Sequence, residues 1–216
     1  MACMIRKTDP PHLHYEQELW QSGLAYVAGM DEAGRGALAG PVAVGAVILP
    51  TDHPHLSRTL ACCRDSKQMT PRQRDLCVPH IKEAALAWNV AFASADEIDS
   101  LGIVPATRLA AQRALDGLAI RPVYLLTDFR LELPESGLPQ TSLVKGDACC
   151  LSIAAASVLA KTTRDALMVE LGKRVQGYGL EQNKGYGTQT HRSALMRLGY
   201  SSEHRKSFVI KELRIT

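Results

Sequence analysis

The composition of the chain is that of an ordinary globular protein. It has 216 residues, of which 46% are hydrophobic and 22% are charged. That is enough for one well-buried core and too apolar for a disordered chain. No apolar run approaches the roughly 20 residues that span a bilayer, and the polar first fifteen residues lack the apolar segment of a signal peptide. We therefore expect a cytoplasmic protein without membrane contact.

The net charge of +3 is unevenly distributed along the chain. Residues 161–216 carry a net charge of +6, so the first 160 residues carry −3. A basic last quarter suits a polyanionic partner. A solvated helical surface would have the same composition, so charge alone leaves both interpretations open.

The cysteines do not form a recognisable framework. Two adjacent pairs and two single cysteines resemble neither a secreted disulfide pattern nor a C-x-x-C metal knuckle. We therefore predict that all of them are reduced thiols. They are Cys3, Cys62, Cys63, Cys77, Cys149 and Cys150.

The first half of the chain predicts a hairpin, a helix and a third strand. In chain order we expect a lead-in over residues 1–22 with a short helix near 16–20, strands over 25–30 and 41–49, a loop and helix over 66–87, and a strand over 88–95. The glycine-rich stretch between the first two strands predicts a turn. Thr70 is a good N-cap for the helix, and Pro71 is tolerated in its first turn.

The second half alternates strands with helices. We expect helices over 95–101 and 104–118, strands over 122–127 and 141–144, an Ala-rich helix over 152–172, a glycine-rich loop, and a helix near 190–198 with a basic tail. Three strands followed by strand–helix alternation predict an α/β layer fold with a mixed sheet. We divide the chain into a partly flexible lead-in (1–22), a core (23–172) and a basic helical and loop extension (173–216).

Four acidic residues lie at predicted strand ends. Asp31 and Glu32 follow the first strand, Asp128 ends the fourth, and Asp147 follows the fifth. Ligands collect where strand ends of an open α/β sheet converge, and clustered carboxylates repel unless they hold cations. Oxygen ligands suit Mg²⁺ or Mn²⁺, and two ions about 3.5–4 Å apart assist phosphodiester cleavage. Each acid alone could equally be a turn or cap residue, so spacing does not decide.

A glycine turn directly follows the first acidic pair. Gly34 and Gly36 let a backbone approach a ligand closely, and Arg35 between them offers a planar set of donors. A plain hairpin turn with an exposed arginine would have the same sequence.

The segment containing these residues closely resembles the opening motif of the bacterial ribonuclease HII family. That segment is YVAGMDEAGRGALAGPVAVGAVIL. Other matching motifs follow in the family's order: Asp65-Ser66-Lys67, Glu97-Ile98-Asp99, Val144-Lys145-Gly146-Asp147, SIAAASVLAKTTRD from Ser152, Tyr178-Gly179, Lys184-Gly185-Tyr186 and Arg205-Lys206-Ser207-Phe208. The resemblance covers residues 25–209.

The resemblance implies a specific site and activity. Asp31, Glu32, Asp128 and Asp147 would be catalytic ligands of two Mg²⁺ or Mn²⁺ ions. The backbone of residues 34–36 would read the 2′-hydroxyl that distinguishes RNA from DNA, and Tyr186 would pack on the neighbouring deoxyribose.

The implied enzyme cuts RNA–DNA hybrids and 5′ of ribonucleotides embedded in duplex DNA, leaving a 3′-hydroxyl and a 5′-phosphate. The fold implied is ribonuclease H-like, with a five-stranded mixed sheet flanked by helices and a C-terminal helical extension. The family also suggests a monomer.

Further residues are candidates for phosphate contacts, which position a duplex and make binding salt-dependent. For each of them an ordinary surface role is the alternative, and for Asp165 we expect an ion pair with a basic neighbour. The candidates are Ser66, Lys67, Lys145, Lys161, Arg164 and Lys184.

Three residues depart from the family pattern. Phe129 stands where glycine is usual, Asn183 where histidine is usual, and Gly187 where proline is usual. None of them removes an expected metal ligand. We expect Phe129 to alter the loop beside the acids and Gly187 to loosen the loop of Tyr186.

Two other functions remain compatible with parts of the pattern. One is another metal nuclease of the same broad fold, such as a resolvase or an exonuclease, which needs no reader of the 2′-hydroxyl. The other is a hybrid-binding module without catalysis, which gains nothing from four repelling carboxylates.

Overall fold

A five-stranded mixed sheet forms the centre of the protein, as predicted. The computed structural model describes residues 10–129 and 131–208. Residues 1–9 of the predicted lead-in and 209–216 of the predicted extension lie outside the described residues. The strands are β1 (Val27–Ala33), β2 (Val42–Ile48), β3 (Ala87–Ala93), β4 (Tyr124–Asp128) and β5 (Gln140–Leu143).

The strand order across the sheet is β3-β2-β1-β4-β5. The first three strands form an antiparallel meander, which confirms the predicted hairpin. Strand β4 is parallel to β1, and β5 is parallel to β4. Strand β1 therefore joins the antiparallel and the parallel parts of the sheet.

The helices confirm the longer predicted elements and add short ones. They are α1 (His14–Gln21), α2 (Leu56–Thr59), α3 (Pro71–Ala84), α4 (Ala95–Leu101), α5 (Ile103–Asp116), α6 (Gly146–Cys149), α7 (Leu151–Arg174), α8 (Leu180–Asn183) and α9 (Gln189–Leu198). The one-turn helices α2, α6 and α8 had no periodicity from which to predict them. The expected N-cap of α3 is confirmed, because Thr70 and Gln73 form a reciprocal capping box.

The two faces of the sheet are covered by different helices. Val44 and Ile48 of β2 point to the face covered by α4 and α5. Val47 points to the opposite face, where it packs with residues of α3 and α7. Helix α7 approaches the sheet closely: a Cβ at Gly45 would lie 2.4 Å from the carbonyl oxygen of Ala156. The Ala-rich stretch of α7 is therefore its contact face with the sheet.

The first strand extends further than the sequence predicted. We expected it to end before Asp31, but pairing with β2 continues through Asp31 opposite Gly45 and Glu32 opposite Val44. Hydrogen bonding to a neighbouring strand keeps these polar residues extended, although their side chains have low strand propensity. The first two acids therefore stand on a strand, which fixes their backbone.

The prediction that all cysteines are reduced is wrong for one pair. Cys62 and Cys77 form a disulfide, with their Cα atoms 5.7 Å apart. Among the described residues Cys63, Cys149 and Cys150 lie outside any disulfide, and all three are buried. The turn after α2 brings residue 62 against α3, a contact that no spacing motif in the sequence signals.

Within residues 10–129 and 131–208, none of the helices is both long and apolar enough to cross a membrane.

Helix α1 caps the longest helix of the protein from a distant part of the chain. Glu16 is fully buried. Its Oε1 accepts hydrogen bonds from the backbone N–H of Ser152, at 2.7 Å, and from the thiol of Cys150, at 3.1 Å. Cys150 occupies the N-cap position of α7 without a side-chain cap of its own. The Glu16 carboxylate therefore satisfies one N–H group of the first turn of α7 and lies at the positive end of the helix dipole.

We predict that Glu16→Ala destabilises the protein by about 2 kcal/mol, because it removes a charge-assisted cap in a buried setting. Glu16→Gln should cost less, since its amide oxygen can still accept. Urea denaturation measures both effects. Glu18→Ala is the matched control, because its side chain is 64% exposed on the same helix. Equal stabilities of the Glu16→Ala and Glu18→Ala variants would contradict the capping role.

Candidate active site

Parallel pairing of β1 and β4 brings the predicted acids to one edge of the sheet. Met30 pairs with Thr127, so the next residue of each strand, Asp31 and Asp128, reaches the same edge. Asp147 lies in the first turn of α6, just beyond β5. The backbone N–H of Gly146 donates to Asp128 Oδ1 at 2.8 Å, which ties this turn to β4.

The acids are close enough to perturb each other. Burial and the neighbouring charges of Glu32, Asp128 and Asp147 raise the pKa of Asp31 well above its usual value, against the opposing effect of a hydrogen bond with Ser157. Burial also raises the pKa of Glu32, against the opposing effect of Arg35. The structure thus brings together the four acids that the sequence singled out, and their charges are insufficiently compensated.

Asp147 has a further acidic neighbour that the sequence analysis did not select. Burial raises the pKa of Asp147 to about 6, and the nearby Asp65 carboxyl adds to the shift. Lys67 opposes it, with Nζ 3.8 Å from Asp147 Oδ2. Burial lowers the pKa of Lys67, but the surrounding carboxylates, chiefly Asp31 and Asp147, outweigh this and raise it. The Asp65-Ser66-Lys67 motif was the available signal for Asp65.

Two carboxylate oxygens at this edge have no hydrogen-bond partner among the described residues. They are the buried Asp31 Oδ2 and Glu32 Oε2. An unpaired anionic oxygen inside a protein is costly unless a cation meets it. Oxygen atoms from carboxylates are the ligands that Mg²⁺ and Mn²⁺ prefer. The residues present therefore fit a divalent-cation site.

The glycine turn continues directly from these acids. Gly34 has φ of +85°, and a Cβ there would lie 1.8 Å from Nε of Arg164, so only glycine fits. The N–H of Ala37 donates to the Gly34 carbonyl at 3.2 Å and closes the turn. Arg35 bends back, with Nη1 3.7 Å from Glu32 Oε1, while Gly36 faces open space.

Two fully buried arginines hold this turn from beneath. Their guanidinium groups donate almost entirely to backbone carbonyl oxygens of the β1–β2 connection. Arg205 donates to Gly34, Arg35 and Gly40, at 2.8, 2.9 and 2.9 Å. Arg164 donates to Pro41, Ala39 and Lys184, at 2.8, 3.2 and 2.9 Å. The two side chains therefore position the turn relative to β1 and to the loop after α8.

Two predicted phosphate contacts are wrong. Arg164 is 0% exposed, and its donors are used within the protein, so it cannot reach a phosphate. Ser66 is also buried, and its hydroxyl lies 2.8 Å from that of Ser157. Ser66 therefore joins its loop to α7. The sequence suggested function for both because they lie in matched motifs, but it contained no information on which way they face.

Of the lysines predicted to contact phosphates, two are exposed and two contact other groups of the protein. Lys67 and Lys145 are exposed. Lys161 is paired with Asp165 at 2.7 Å, and Arg74 contacts the same carboxylate at 3.1 Å, which confirms the ion pair expected for Asp165. Lys184 is half-buried, and its Nζ contacts the Glu181 carbonyl.

Tyr186 stands beside the turn, on a loop that is well held. Its ring centroid lies 5.0 Å from Lys161 Nζ and 5.4 Å from Arg164 Cζ. Asn183 donates to the Tyr178 carbonyl and accepts from the N–H of Gly185. This departure from the family pattern thus makes two hydrogen bonds inside the loop.

The other two departures differ in setting. A Cβ at Gly187 would lie 2.9 Å from Leu38 Cδ1, and the Gly187 carbonyl accepts from Arg192 at 2.9 Å. The expected loosening at Gly187 is therefore opposed by a direct hydrogen bond. Phe129 is 55% exposed beside Asp128, and no contact with another described residue explains its side chain.

The role of Arg205 was not predicted from the sequence. It appeared only as part of a matched C-terminal motif, whereas it makes three of the bonds that hold the turn. Asp99 explains how that segment is anchored, since its carboxylate accepts from the N–H groups of Lys206 and Ser207 at 2.8 and 2.9 Å. A buried arginine cannot be told from a surface one by sequence alone.

A mixed five-stranded sheet with acids at one edge defines the ribonuclease H-like class of nuclease folds. Solved structures agree. The ribonuclease H2 of Pyrococcus horikoshii superposes with a TM-score of 0.71 at 25% identity, over 84% of this chain and 93% of that one. A ribonuclease HII from Archaeoglobus fulgidus, solved in a complex with PCNA, gives a TM-score of 0.70 at 24% identity, over 86% and 96%.

Sequence comparison defines the family within this class. The Ribonuclease HII family model matches residues 28–211. A ribonuclease HII of Moorella thermoacetica is 52% identical over 90% of this chain and 91% of its own length. That of Dehalococcoides mccartyi is 47% identical over 89% and 90%. The chain belongs to the ribonuclease HII family, and it is an enzyme of the ribonuclease H type.

We predict that Asp31→Asn stabilises the protein when divalent cations are absent. The raised pKa of Asp31 means that its ionised form opposes folding near neutral pH, so a neutral side chain should gain about 1–2 kcal/mol. The melting temperature should rise by about 3–6 °C. The gain should be largest above the folded pKa, decrease as the pH falls from there to the unfolded pKa, and be absent below the unfolded value, where aspartate is protonated in both states.

Thermal unfolding with a chelator present measures this effect. Asp52→Asn, at an exposed loop position, is the matched control and should leave the melting temperature unchanged. A lower melting temperature for Asp31→Asn than for the unchanged protein would show that the acid cluster is not electrostatically strained.

Proposed function

We propose that the enzyme hydrolyses the RNA strand of RNA–DNA hybrids and cleaves 5′ of ribonucleotides embedded in duplex DNA, leaving a 3′-hydroxyl and a 5′-phosphate. One observation carries the proposal: buried carboxylates with unpaired oxygens stand directly before a backbone turn that two buried arginines hold in place. The acids supply a site for hydrolysis, and the turn supplies a fixed surface beside it.

We propose that Asp31, Glu32, Asp128 and Asp147 hold two Mg²⁺ or Mn²⁺ ions. Such ions lower the pKa of an attacking water and stabilise the charge on the leaving oxygen. A ribonuclease HIII solved in complex with Mn²⁺ shares the fold, with a TM-score of 0.63 at 18% identity, over 94% of this chain and 73% of that one. Among the described residues, no three of these acids have ligand oxygens that all lie within 4.8 Å of one another. Binding therefore requires the side chains to draw together.

The turn is suited to distinguish ribose from deoxyribose. Its carbonyl groups at Gly34 and Arg35 are fixed by Arg205, and Gly36 leaves open space above the backbone. A fixed backbone can present donors and acceptors to one 2′-hydroxyl without the entropy loss of ordering a side chain. Tyr186, on the adjacent loop, offers an aromatic face to the neighbouring sugar.

The duplex would be positioned by lysines around this edge. Lys67 and Lys145 are exposed next to the acids, and we propose that both contact phosphates. Lys161 and Lys184 are partly engaged within the protein and would contribute less. The prediction of a monomer remains a prediction. Membership of the ribonuclease HII family favours this function over a resolvase, an exonuclease or a hybrid-binding module.

We predict that, with Mg²⁺ or Mn²⁺, the enzyme nicks a DNA duplex containing a single ribonucleotide and leaves an all-DNA duplex of the same sequence intact. The reason is that only the ribonucleotide offers a 2′-hydroxyl to the turn. Denaturing gels of end-labelled strands locate the nick and identify its termini. Equal cleavage of the all-DNA duplex would remove the proposed reading of ribose.

We predict that Asp128→Asn lowers the cleavage rate at least about 100-fold while duplex binding in the presence of Ca²⁺ is retained. The amide keeps the shape of the side chain and can still accept from Gly146, but it loses the charge that a cation needs. Asp116→Asn, an exposed acid at the end of α5, is the matched control. Near-normal turnover by Asp128→Asn would exclude it from the catalytic set.

A further inference from the structure

Three cysteine sulfurs meet at one point outside the nuclease site. Cys62 lies in the turn after α2, Cys63 follows it, and Cys77 stands on the buried face of α3. The Sγ atoms of all three lie within 4.8 Å of one another, and no other group of three potential metal ligands among the described residues is so tightly gathered. The Sγ atoms of Cys63 and Cys77 are 3.5 Å apart.

We propose that the reduced sulfurs of Cys62, Cys63 and Cys77 form a site for one thiophilic d¹⁰ cation such as Zn²⁺, and that the Cys62–Cys77 disulfide is the oxidised, metal-free state of the same site. Tetrahedral ligands about 2.3 Å from an ion lie about 3.8 Å from one another. The Sγ atoms of Cys63 and Cys77 are 3.5 Å apart, close to that spacing. Reduction of the Cys62–Cys77 disulfide would let the Sγ of Cys62 move out to a similar distance. This proposal is independent of the nuclease function proposed above.

The setting of Cys63 supports a metal over simple thiol exchange. A disulfide uses only two of the three sulfurs and leaves Cys63 as a buried thiol. The Sγ of Cys63 nevertheless lies 3.5 Å from that of Cys77, close enough for both sulfurs to bind one ion. A bound divalent cation supplies the missing positive charge and deprotonates its thiol ligands.

The half-buried position of Cys62 lets a cation reach the three sulfurs from solvent and lets a water molecule serve as its fourth ligand. Its side chain is only half-buried, whereas Cys63 and Cys77 lie inside the core. A cation can therefore enter from solvent and keep a water molecule at its exposed side. Leu56, Leu60 and Met69 pack around the two buried cysteines, and this apolar surround excludes competing oxygen ligands.

The site lies at the base of the segment that reaches the acids. Residues 64–69 leave the cysteine pair and carry Lys67 to Asp147, and Ser66 to Ser157 of α7. An ion on the three sulfurs would tie the start of this segment to α3. In the oxidised state the disulfide makes a similar connection with two sulfurs.

The two states interconvert by balanced chemistry. Cation binding releases the protons of the three thiols. Oxidation by hydrogen peroxide consumes the thiolates of Cys62 and Cys77 and two protons: the S–S bond forms between them, the O–O bond breaks, and two water molecules leave. The cation is freed, and the Cys63 thiolate takes up a third proton. A trialkylphosphine with water reverses the S–S bond formation, and is itself converted to the phosphine oxide.

The test is a titration of the full-length, phosphine-reduced protein with Cd²⁺ after removal of the reductant. Excess Mg²⁺ occupies the carboxylate site, so the ultraviolet thiolate-to-cadmium charge-transfer band reports sulfur ligands alone. We expect one equivalent to bind. Cys63→Ser should bind at least about tenfold more weakly, and the matched control Cys149→Ser, which removes a buried thiol elsewhere, should bind like the unchanged protein.

A second experiment uses the oxidised protein and needs no amino-acid substitution. After peroxide treatment, peptide mapping should find the Cys62–Cys77 disulfide, and the charge-transfer band should be lost on Cd²⁺ addition. Three results would overturn the proposal: no thiolate band with the reduced protein, equal affinity of the Cys63→Ser variant, or an undiminished band after oxidation.

Discussion

The site depends on the hydrogen bonds that two buried guanidinium groups donate to backbone carbonyl oxygens. Arg164 and Arg205 together donate to five carbonyl oxygens of the connection between β1 and β2. Burying two cations is costly, and burial together with the charge of Arg164 lowers the pKa of Arg205 to about 9. Carbonyl oxygens offset that cost only if the connection keeps one shape. The arginines and the turn therefore specify each other.

This constraint links distant parts of the chain to the acids. Arg164 comes from α7, whose first turn is capped by Glu16 of α1. Arg205 comes from the C-terminal segment, which Asp99 of α4 holds by the N–H groups of Lys206 and Ser207. The elements that surround the sheet thus converge on the few residues after Glu32. The repelling carboxylates destabilise the folded protein at the site, and the hydrogen bonds that hold the neighbouring connection offset this destabilisation.

Much of this could be predicted from the sequence. Hydrophobic runs located all five strands, Thr70 and Pro71 located the start of α3, and the matched motifs brought Asp31, Glu32, Asp128 and Asp147 together. Side-chain direction could not be predicted. Arginine and serine are residue types that often contact nucleic acid, yet Arg164 and Ser66 both point inward. Their hydrogen-bond partners lie about 20 to 125 positions away in the sequence, so no local pattern indicates them. The disulfide of Cys62 and the cap made by Glu16 are hidden for the same reason, since long-range pairs have no local signal.

We propose above all that the backbone of residues 34–36, held by the two arginines, recognises ribose beside the acid cluster. The most direct test of this proposal is a crystal structure of the Asp128→Asn variant bound to a DNA duplex that contains one ribonucleotide. We predict that the 2′-oxygen lies within hydrogen-bond distance of backbone atoms of residues 34–36, with the bonds from Arg164 and Arg205 intact and the adjacent phosphate facing Asp31 and Asp147. A 2′-oxygen contacted elsewhere, with the turn displaced from the nucleic acid, would contradict the account.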